Sequence, residues 1–371
     1  MSPTWFGDDS FVGGAERYVR ELTRASAQIA DVTWASFGDR ADSRRDGPLA
    51  VEILRRRGLP GVSRLATNPL SFRLAGLVRA ADVVHCHQPY TLSTDAALVA
   101  ARLLRKRAFV TDLGGGHRWA LSKALPLMAG ADALLLISGY SRRLWLEAPL
   151  SGRPSRLEVI GGGVDTNRFS PGTAVRSDET LFVGRLLPHK GVNYLIDAMA
   201  DGAPLRIVGR PYDPGFFATL RSMAAGRRVA FEHDADDDAL VERYRRALVT
   251  VLPSVYTPVD GRTTRQPELL GLVVLESMAC GTPVIVTDVA SLPELIEDGV
   301  NGFIVPPNDA AAIGEKIRFL RDHPTAADEM GRRARTAVLD RFTWRAVAAR
   351  CLDAYQGRLV DDAGAREART P

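Results

Sequence analysis

Short β-branched runs alternate with longer helical patterns along the whole of the 371-residue chain. This alternation is typical of parallel sheets built from βαβ units, and it predicts a protein of the α/β class. The strand candidates of both halves are residues 32–37, 51–54, 82–86, 108–111, 133–137, 156–160, 180–183, 205–208, 229–232, 249–252, 283–286 and 303–305.

The length of the chain exceeds what one hydrophobic core usually supports, and at about 150 residues per domain it favours two domains. The turn-rich segment 161–171 (GGGVDTNRFSP), followed by the polar stretch 172–178, is the best boundary between them. We therefore expect Rossmann-like domains at 1–165 and 175–340. A C-terminal helix at 341–357 is expected to pack back on the first domain, and 358–371 to form a polar tail.

The N-terminus departs from a Rossmann pattern, because the chain begins MSPTWFGDDSFVGGAERYV, with a Gly-Gly turn and an amphipathic helix but no preceding strand. A Rossmann unit normally starts with that strand, so the first strand of the N-terminal domain is predicted to be missing. We interpret this as a start placed downstream of the true one. The alternative is a sheet that tolerates the absence and exposes neighbouring backbone.

Composition narrows the class of protein. Apolar residues make up 46% and charged residues 25%, as in an ordinary globular protein. No apolar stretch approaches the roughly 18 residues of a membrane span, and no signal peptide is recognisable, which predicts a cytoplasmic location. Three cysteines, Cys86, Cys280 and Cys351, are too few and too scattered for a disulfide framework or zinc site, and the apolar setting of Cys86 and Cys280 predicts buried thiols.

The net charge is +4, and the basic excess lies in the first half. A solvated face is the ordinary interpretation of mixed charges, and nothing points to nucleic acid. Basic residues near apolar helices nevertheless leave peripheral membrane contact open as a hypothesis; they are Arg102, Arg105, Lys106, Arg107, Arg142 and Arg143.

The most informative segment is 267–286, PELLGLVVLESMACGTPVIV, in which Glu268 and Glu276 stand eight positions apart. A loop ending in Glu268 and Gly271 leads into a predicted helix, whose free N–H groups and dipole favour an anionic diphosphate. The spacing alone would equally fit two exposed helix glutamates. The sequence around it decides between the two interpretations.

This segment resembles the Glu, seven residues, Glu motif of retaining glycosyltransferases of family 4, also described as glycosyl transferases group 1. The stretches MACGTPVI and PELIEDGVNGFIVPPND match as well, and the resemblance spans nearly the whole chain. It implies the GT-B architecture, two Rossmann-like domains facing each other across a cleft, with 1–165 on the acceptor side and 175–340 on the nucleotide-sugar donor side. It also implies that Glu268 approaches sugar hydroxyls and that Glu276 accepts hydrogen bonds from ribose hydroxyls. The donor-binding residues implied around the two glutamates are Leu270, Gly271, Leu272 and Val273.

A second signal is 181–199, LFVGRLLPHKGVNYLIDAM, where a strand ends at Gly184 and Arg185 and a loop carries Lys190 before a helix. The resemblance implies that Arg185 and Lys190 hold the diphosphate and neutralise the charge that develops as it leaves. Two surface charges are the alternative. The position at the carboxyl edge of a parallel strand favours ligand binding.

Two glycine-rich segments complete the resemblance in the first half. Gly13-Gly14 resembles the family's N-domain loop, and Gly14 is a candidate for close backbone approach to the donor. In TDLGGGH, residues 111–117, Leu113 stands where many members carry a histidine close to the reacting sugar. Either His117 substitutes for it, as a candidate catalytic residue, or no imidazole participates.

Other polar residues receive weaker assignments. His85 and His87 alternate along one strand, so at least one is expected at the cleft, and His85 is the better candidate for a buried, hydrogen-bonded histidine. Gly209-Arg210 and Glu232-His233 lie where the family places its nucleotide base. The acidic run Asp234, Asp236, Asp237 and Asp238 contains an Asp, any residue, Asp pattern, but it precedes a predicted helix, so we interpret it as capping and expect no metal and no cofactor.

The sequence therefore predicts an enzyme that moves a sugar from a nucleotide diphosphate sugar to an acceptor hydroxyl, with retention of anomeric configuration and without a metal. The acceptor is left open among a lipid, a polysaccharide and a secondary metabolite. A nucleotide-sugar epimerase of the same architecture and a non-catalytic nucleotide-sugar-binding protein are the alternatives.

Overall fold

The computed structural model describes residues 1–2, 13–57, 68–115, 120–147, 152–173 and 175–358. The chain divides into two compact units. Unit 1 comprises Met1–Gly163 together with Trp344–Pro371, and unit 2 comprises Val164–Thr343.

The strands of the described residues are β1 Thr33–Gly38, β2 Asp42–Asp46, β3 Leu49–Arg55, β4 Val83–His87, β5 Arg107–Asp112, β6 Ala133–Leu136, β7 Leu157–Val159, β8 Thr180–Val183, β9 Leu205–Val208, β10 Val229–Glu232, β11 Val249–Leu252, β12 Val284–Thr287 and β13 Phe303–Val305. The α-helices are α1 Gly14–Ser26, α2 Leu74–Ala80, α3 Leu92–Leu103, α4 Gly139–Glu147, α5 Val192–Ala198, α6 Pro214–Ala224, α7 Asp237–Arg246, α8 Leu272–Ala279, α9 Ala310–Asp322, α10 Pro324–Arg341 and α11 Trp344–Gln356. The α/β class is confirmed.

Unit 2 contains one six-stranded parallel sheet with the strand order β10-β9-β8-β11-β12-β13. Numbered within the unit, this is 3-2-1-4-5-6, the doubly wound order. Every residue of its central strands is buried and most are apolar, as expected where helices cover both faces. The order reverses between β8 and β11, and in such sheets ligands bind outside the carboxyl ends of the strands at that point.

The described residues of unit 1 form two sheets, the parallel sheet β4-β5-β6-β7 and the mixed sheet β1-β3-β2. In the mixed sheet β1 and β3 are parallel, whereas β2 pairs antiparallel with β3. Every residue of β2 is exposed, and its sequence DSRRD is charged. Charges along an edge strand oppose pairing with another chain.

The first two residues join the two sheets of unit 1. Ser2 N–H donates to the carbonyl of Ala35 in β1, while the carbonyl of Met1 accepts from His87 N–H in β4. The Met1 amino group donates to the carbonyl of His85, and burial lowers its pKa. Among the described residues, no strand precedes α1.

Helix α11 belongs to unit 1 through contacts with its first helix. The ring of Trp344 meets the ring of Tyr18 edge to face at 5.0 Å, and Arg350 Nε donates to the carbonyl of Ile160 at 2.7 Å. Within the described ranges, no helix has both the length and the apolar character that crossing a bilayer requires.

Candidate active site

The carboxyl ends of β8 and β9 meet closely at the edge of the unit 2 sheet. Gly184 follows β8 and Gly209 follows β9, and a Cβ on Gly209 would lie 1.8 Å from the carbonyl oxygen of Gly184. Only glycine fits there. Arg210 comes next, and its guanidinium binds the carboxylate of Asp234 at 3.0 Å. The carbonyl of Arg210 accepts a hydrogen bond from a backbone N–H of the loop that follows β8. The ring of His233 contacts the carbonyl of Gly209 at 2.7 Å.

Lys190 lies in the loop that follows β8, on one side of the point where the strand order reverses. It ends a short 3-10 turn, Pro188–Lys190, and α5 begins two residues later. Its side chain is nearly buried. The ammonium donates to Oε2 of Glu268 at 2.7 Å and to the carbonyl of Pro267 at 3.2 Å. The structure therefore brings together two of the predicted catalytic residues.

Glu268 lies in the loop that follows β11, on the other side of the same point. Its Oε1 accepts from the N–H of Gly271 at 3.2 Å, and Gly271 precedes α8 with φ of 80°, a conformation that glycine adopts without strain. Burial on its own would raise the pKa of Glu268, but the charge and hydrogen bond of Lys190 and the Gly271 N–H together hold it below its usual value. Glu268 is therefore an ionised, oriented carboxylate at the start of a helix.

Arg185 is exposed beside this pair. Its guanidinium lies 5.8 Å from the centre of the Tyr212 ring. Burial together with the charges of Lys190 and Arg185 lowers the pKa of His189 to about 4, so this imidazole is neutral at neutral pH. Lys190 contacts Glu268 directly, and the charges of Lys190, Arg185 and Glu268 all act on the imidazole of His189.

The second glutamate of the motif has a different environment. Glu276, in α8, is only 4% exposed, and its Oε2 accepts the hydroxyl hydrogen of Tyr244 at 2.9 Å. Tyr244 is in α7. Of the residues between the two glutamates, Leu270 is buried, and Leu272 and Val273 at the start of α8 are half-buried.

The acidic run before α7 has structural partners. Asp236 is the N-cap of α7, where its carboxylate accepts from the N–H of Ala239 at 2.8 Å. Asp234 binds Arg210, and both Asp237 and Asp238 bind Arg168. The described residues contain no group of three or more side chains suited to a metal ion.

The candidates of unit 1 are placed as follows. Gly14 is exposed and begins α1, whereas His117 lies outside the described residues. Leu113 packs against the core beside β1 and β3. The two ring nitrogens of His85 contact Tyr355 and Thr111, each at 2.6 Å, so the hydrogen bonding predicted for His85 is confirmed. His85 is only half-buried, whereas His87 is buried at 3% exposure, and His87 Nδ1 has no hydrogen-bond partner among the described residues.

Sequence reasoning missed three residues of this region, Tyr244, His189 and Tyr212. Tyr244 is 32 residues from Glu276 and in another helix, so no local pattern connects them. His189 directly precedes Lys190 and could have been noticed from that position alone.

Solved structures define the class of this fold. Sucrose-phosphate synthase from Thermosynechococcus elongatus matches with a TM-score of 0.70 at 22% identity, covering 93% of this chain and 94% of that one. Anabaena HepE in complex with UDP matches with a TM-score of 0.72 at 17% identity, covering 96% and 98%. The fold is that of the GT-B glycosyltransferases, as predicted.

Sequence comparisons define the family. The model described as Glycosyl transferases group 1 matches residues 164–337, and that described as Glycosyltransferase Family 4 matches residues 12–168. D-inositol 3-phosphate glycosyltransferase of Acidothermus cellulolyticus is 31% identical over 76% of this chain and 68% of its own. Alpha-maltose-1-phosphate synthase of Mycobacterium tuberculosis is 28% identical over 93% and 95%. The chain belongs to glycosyltransferase family 4, and the resemblance inferred from its motifs is confirmed.

Membership of this family defines the broad activity of the chain, which is the transfer of a sugar from a nucleotide sugar. The alternatives of an epimerase and of a non-catalytic binding protein are not favoured by these matches.

Proposed function

We propose that this enzyme is a retaining, metal-independent glycosyltransferase of the hexosyltransferase type, acting from a nucleotide diphosphate sugar on an acceptor hydroxyl. The observation that carries the proposal is the Lys190–Glu268 pair. These side chains come from the loops after β8 and β11, the two strands between which the sheet order reverses. Ligands of doubly wound sheets bind at this place.

The proposed reaction needs stabilisation of two opposite charges. Cleavage of the anomeric C–O bond leaves positive charge on the sugar and negative charge on the departing diphosphate. We assign the diphosphate to Arg185, Lys190 and the N-terminus of α8, because fixed cations and free N–H groups stabilise an anion that forms in the transition state. Gly184 and Gly209 allow the backbone to approach it.

The two glutamates hold the remainder of the donor in this proposal. Glu268 accepts hydrogen bonds from sugar hydroxyls, and Glu276 accepts hydrogen bonds from ribose hydroxyls. The residues assigned to the donor beside them are Leu270, Gly271, Leu272 and Val273. Neither is assigned as a nucleophile. The acceptor attacks the face from which the diphosphate leaves, and the departing phosphate oxygen takes its proton, which gives retention without a covalent intermediate.

Metal independence is supported by the partners of the acidic run. Asp236 caps α7, and its neighbours bind Arg210 and Arg168. These carboxylates already have structural functions. Activity unchanged by excess EDTA would support this part of the proposal, and activity restored by Mg²⁺ or Mn²⁺ after EDTA would contradict it.

The acceptor is assigned to residues 1–165 and the donor to residues 175–340. Gly14 is proposed to approach the donor. His117 is proposed to supply the imidazole near the sugar that many family members carry at the position of Leu113.

We also propose peripheral contact with an anionic membrane through α3, which carries Arg102 and exposes 78% of Leu103. Polybasic, apolar surfaces bind anionic lipids.

A panel of nucleotide sugars tests the proposal, because a donor that binds the folded state raises the midpoint of thermal unfolding. UDP-glucose and GDP-mannose are included, since relatives or solved structures of similar fold carry these names. We expect one member to stabilise the wild type and to be hydrolysed slowly, and Lys190→Ala and Glu268→Ala to lose that hydrolysis. A sugar epimer formed without acceptor would contradict the proposal, and the anomeric proton coupling of the transfer product tests retention.

A further inference from the structure

The tyrosine that contacts Glu276 is buried and has a hydrogen-bonded hydroxyl. Tyr244 is fully buried, and its hydroxyl is the donor to Oε2 of Glu276. A buried phenol and a nearly buried carboxylate each lose free energy when unpaired, so the contact satisfies both groups.

Contacts at the other parts of Tyr244 hold it in place. Its ring lies edge to face with the ring of Phe169, with centroids 6.1 Å apart. Its carbonyl accepts from Oγ1 of Thr282 at 2.6 Å, and the same oxygen of Thr282 accepts from Arg176 at 3.2 Å. Contacts of the ring and of the backbone thus restrain the position of the Tyr244 hydroxyl relative to α8.

A fixed hydroxyl has a specific consequence for Glu276. The terminal torsion of a glutamate is broad, so an unrestrained carboxylate samples many orientations. A ligand that needs one orientation must then order the side chain as it binds, which weakens binding. A hydrogen bond to Oε2 defines the plane of the carboxylate and hence the direction of Oε1.

We infer that Tyr244 is a positioning residue of the donor site, whose hydroxyl holds the carboxylate of Glu276 in the orientation that receives the ribose hydroxyls. The inference rests on the proposed function of Glu276. In this role Tyr244 acts on the donor through Glu276 and does not itself touch the substrate or the reacting atoms.

The positioning role predicts an effect on KM that differs from the effect of damage at the reacting centre. The diphosphate separates the ribose from the anomeric bond that breaks, so a contact with the ribose stabilises ground state and transition state equally. Loss of such uniform binding raises KM and leaves kcat nearly unchanged. Damage to the reacting centre would lower kcat instead.

The test uses Tyr244→Phe in the full chain, which removes the hydroxyl and keeps the ring. Donor affinity is measured by calorimetry with UDP-glucose, GDP-glucose, ADP-glucose, dTDP-glucose and GDP-mannose, using the one that binds the wild type most tightly. We expect the dissociation constant and KM to rise about tenfold, with kcat within about twofold, for the loss of one directed hydrogen bond. Tyr18→Phe is the matched control, because Tyr18 is equally buried and its hydroxyl donates to a backbone carbonyl, that of Gly161. The control is expected to keep wild-type affinity.

A double-mutant cycle with Glu276→Gln tests the positioning role of Tyr244 separately from the proposed function of Glu276. If Tyr244 acts only through the carboxylate, adding Tyr244→Phe to Glu276→Gln changes the dissociation constant by less than about twofold. This comparison also applies where Tyr244→Phe alone does not fold, since the double variant leaves no carboxylate facing an apolar ring.

Each other outcome has one meaning. Wild-type affinity in Tyr244→Phe, with weakened binding in Glu276→Gln, would overturn the positioning role and leave the proposed function standing. A further loss when Tyr244→Phe is added to Glu276→Gln would also overturn it. Wild-type affinity in both single variants would remove Glu276 from the donor site, and binding of no nucleotide sugar by the wild type would overturn both proposals.

Discussion

The ammonium of Lys190 and the carboxylate of Glu268 lie 2.7 Å apart, although 78 residues separate them in the sequence. Their side chains are only 11% and 16% exposed, so water screens the pair weakly. Because the two charges neutralise each other, a diphosphate bound as proposed above would share Lys190 with Glu268. Removal of either side chain therefore leaves the other charge without its partner, in addition to removing one group from the site.

The first prediction concerns the rate of transfer in Lys190→Ala. We expect kcat to fall by about 100-fold or more, because one fixed cation no longer stabilises the leaving diphosphate. Initial rates at saturating donor measure it. Lys316→Ala is the control, since Lys316 also forms an ion pair, with Glu315 on α9, and has no assigned function. A kcat within threefold of wild type in Lys190→Ala would remove Lys190 from the catalytic residues.

The second prediction concerns stability against pH. The pKa of Glu268 in the folded state is below its usual value, so the ionised form stabilises the folded state. This contribution is fully present above the unfolded pKa of about 4.3 and is lost as the pH falls through the lower folded value. We expect the difference in unfolding free energy between wild type and Glu268→Gln to be constant from pH 7 to pH 5.5 and to shrink below pH 4.5. Urea titrations at each pH measure it, and a difference that grows in acid would contradict the assignment.

The sequence was sufficient to predict the strands of unit 2. Five of its six strands are runs of three or four residues that are mostly or wholly buried between helices, and such runs stand out as apolar and β-branched. The sixth, β10, is less buried but keeps the β-branched Val229 and the aromatic Phe231. All six strands lie at the predicted positions or within one residue of them.

The same reasoning could not find β2, because DSRRD has neither apolar alternation nor burial, and only its partner β3 makes it a strand. Long-range side-chain pairs were equally inaccessible. The motif predicted that Glu276 binds a ligand. Tyr244 is in a different helix, and only the folded chain brings the two residues together. Residue types at a site can thus be predicted from a motif, whereas the contacts that orient them depend on tertiary packing.

The third prediction tests the close approach of β8 and β9. Gly209→Ala would place a Cβ 1.8 Å from the carbonyl oxygen of Gly184, so the backbone has to shift. We expect a loss of about 2–4 kcal/mol in unfolding free energy and weaker donor binding. Gly202→Ala is the control, because Gly202 has φ of 78° but open space around its Cβ position, and its loss should be about 1 kcal/mol from strain alone. Equal losses in the two variants would contradict the steric explanation.

The last prediction concerns the proposed membrane contact of α3. This helix exposes 42% of Val99 and 78% of Leu103, one turn apart on one face, and the basic residues Arg102, Arg105 and Lys106 lie in or directly after it. Apolar side chains that enter the lipid boundary and cations that attract anionic headgroups act together. We expect the protein to sediment with vesicles containing phosphatidylserine at low salt and to be released by about 0.5 M salt, because that concentration shortens the screening length. Val99→Ser with Leu103→Ser should weaken sedimentation at each salt concentration at which the wild type sediments. Leu339→Ser, at a residue of unit 2 with 47% exposure, should not. Vesicle binding that does not respond to salt, or that survives the α3 substitutions, would exclude this helix as the contact surface.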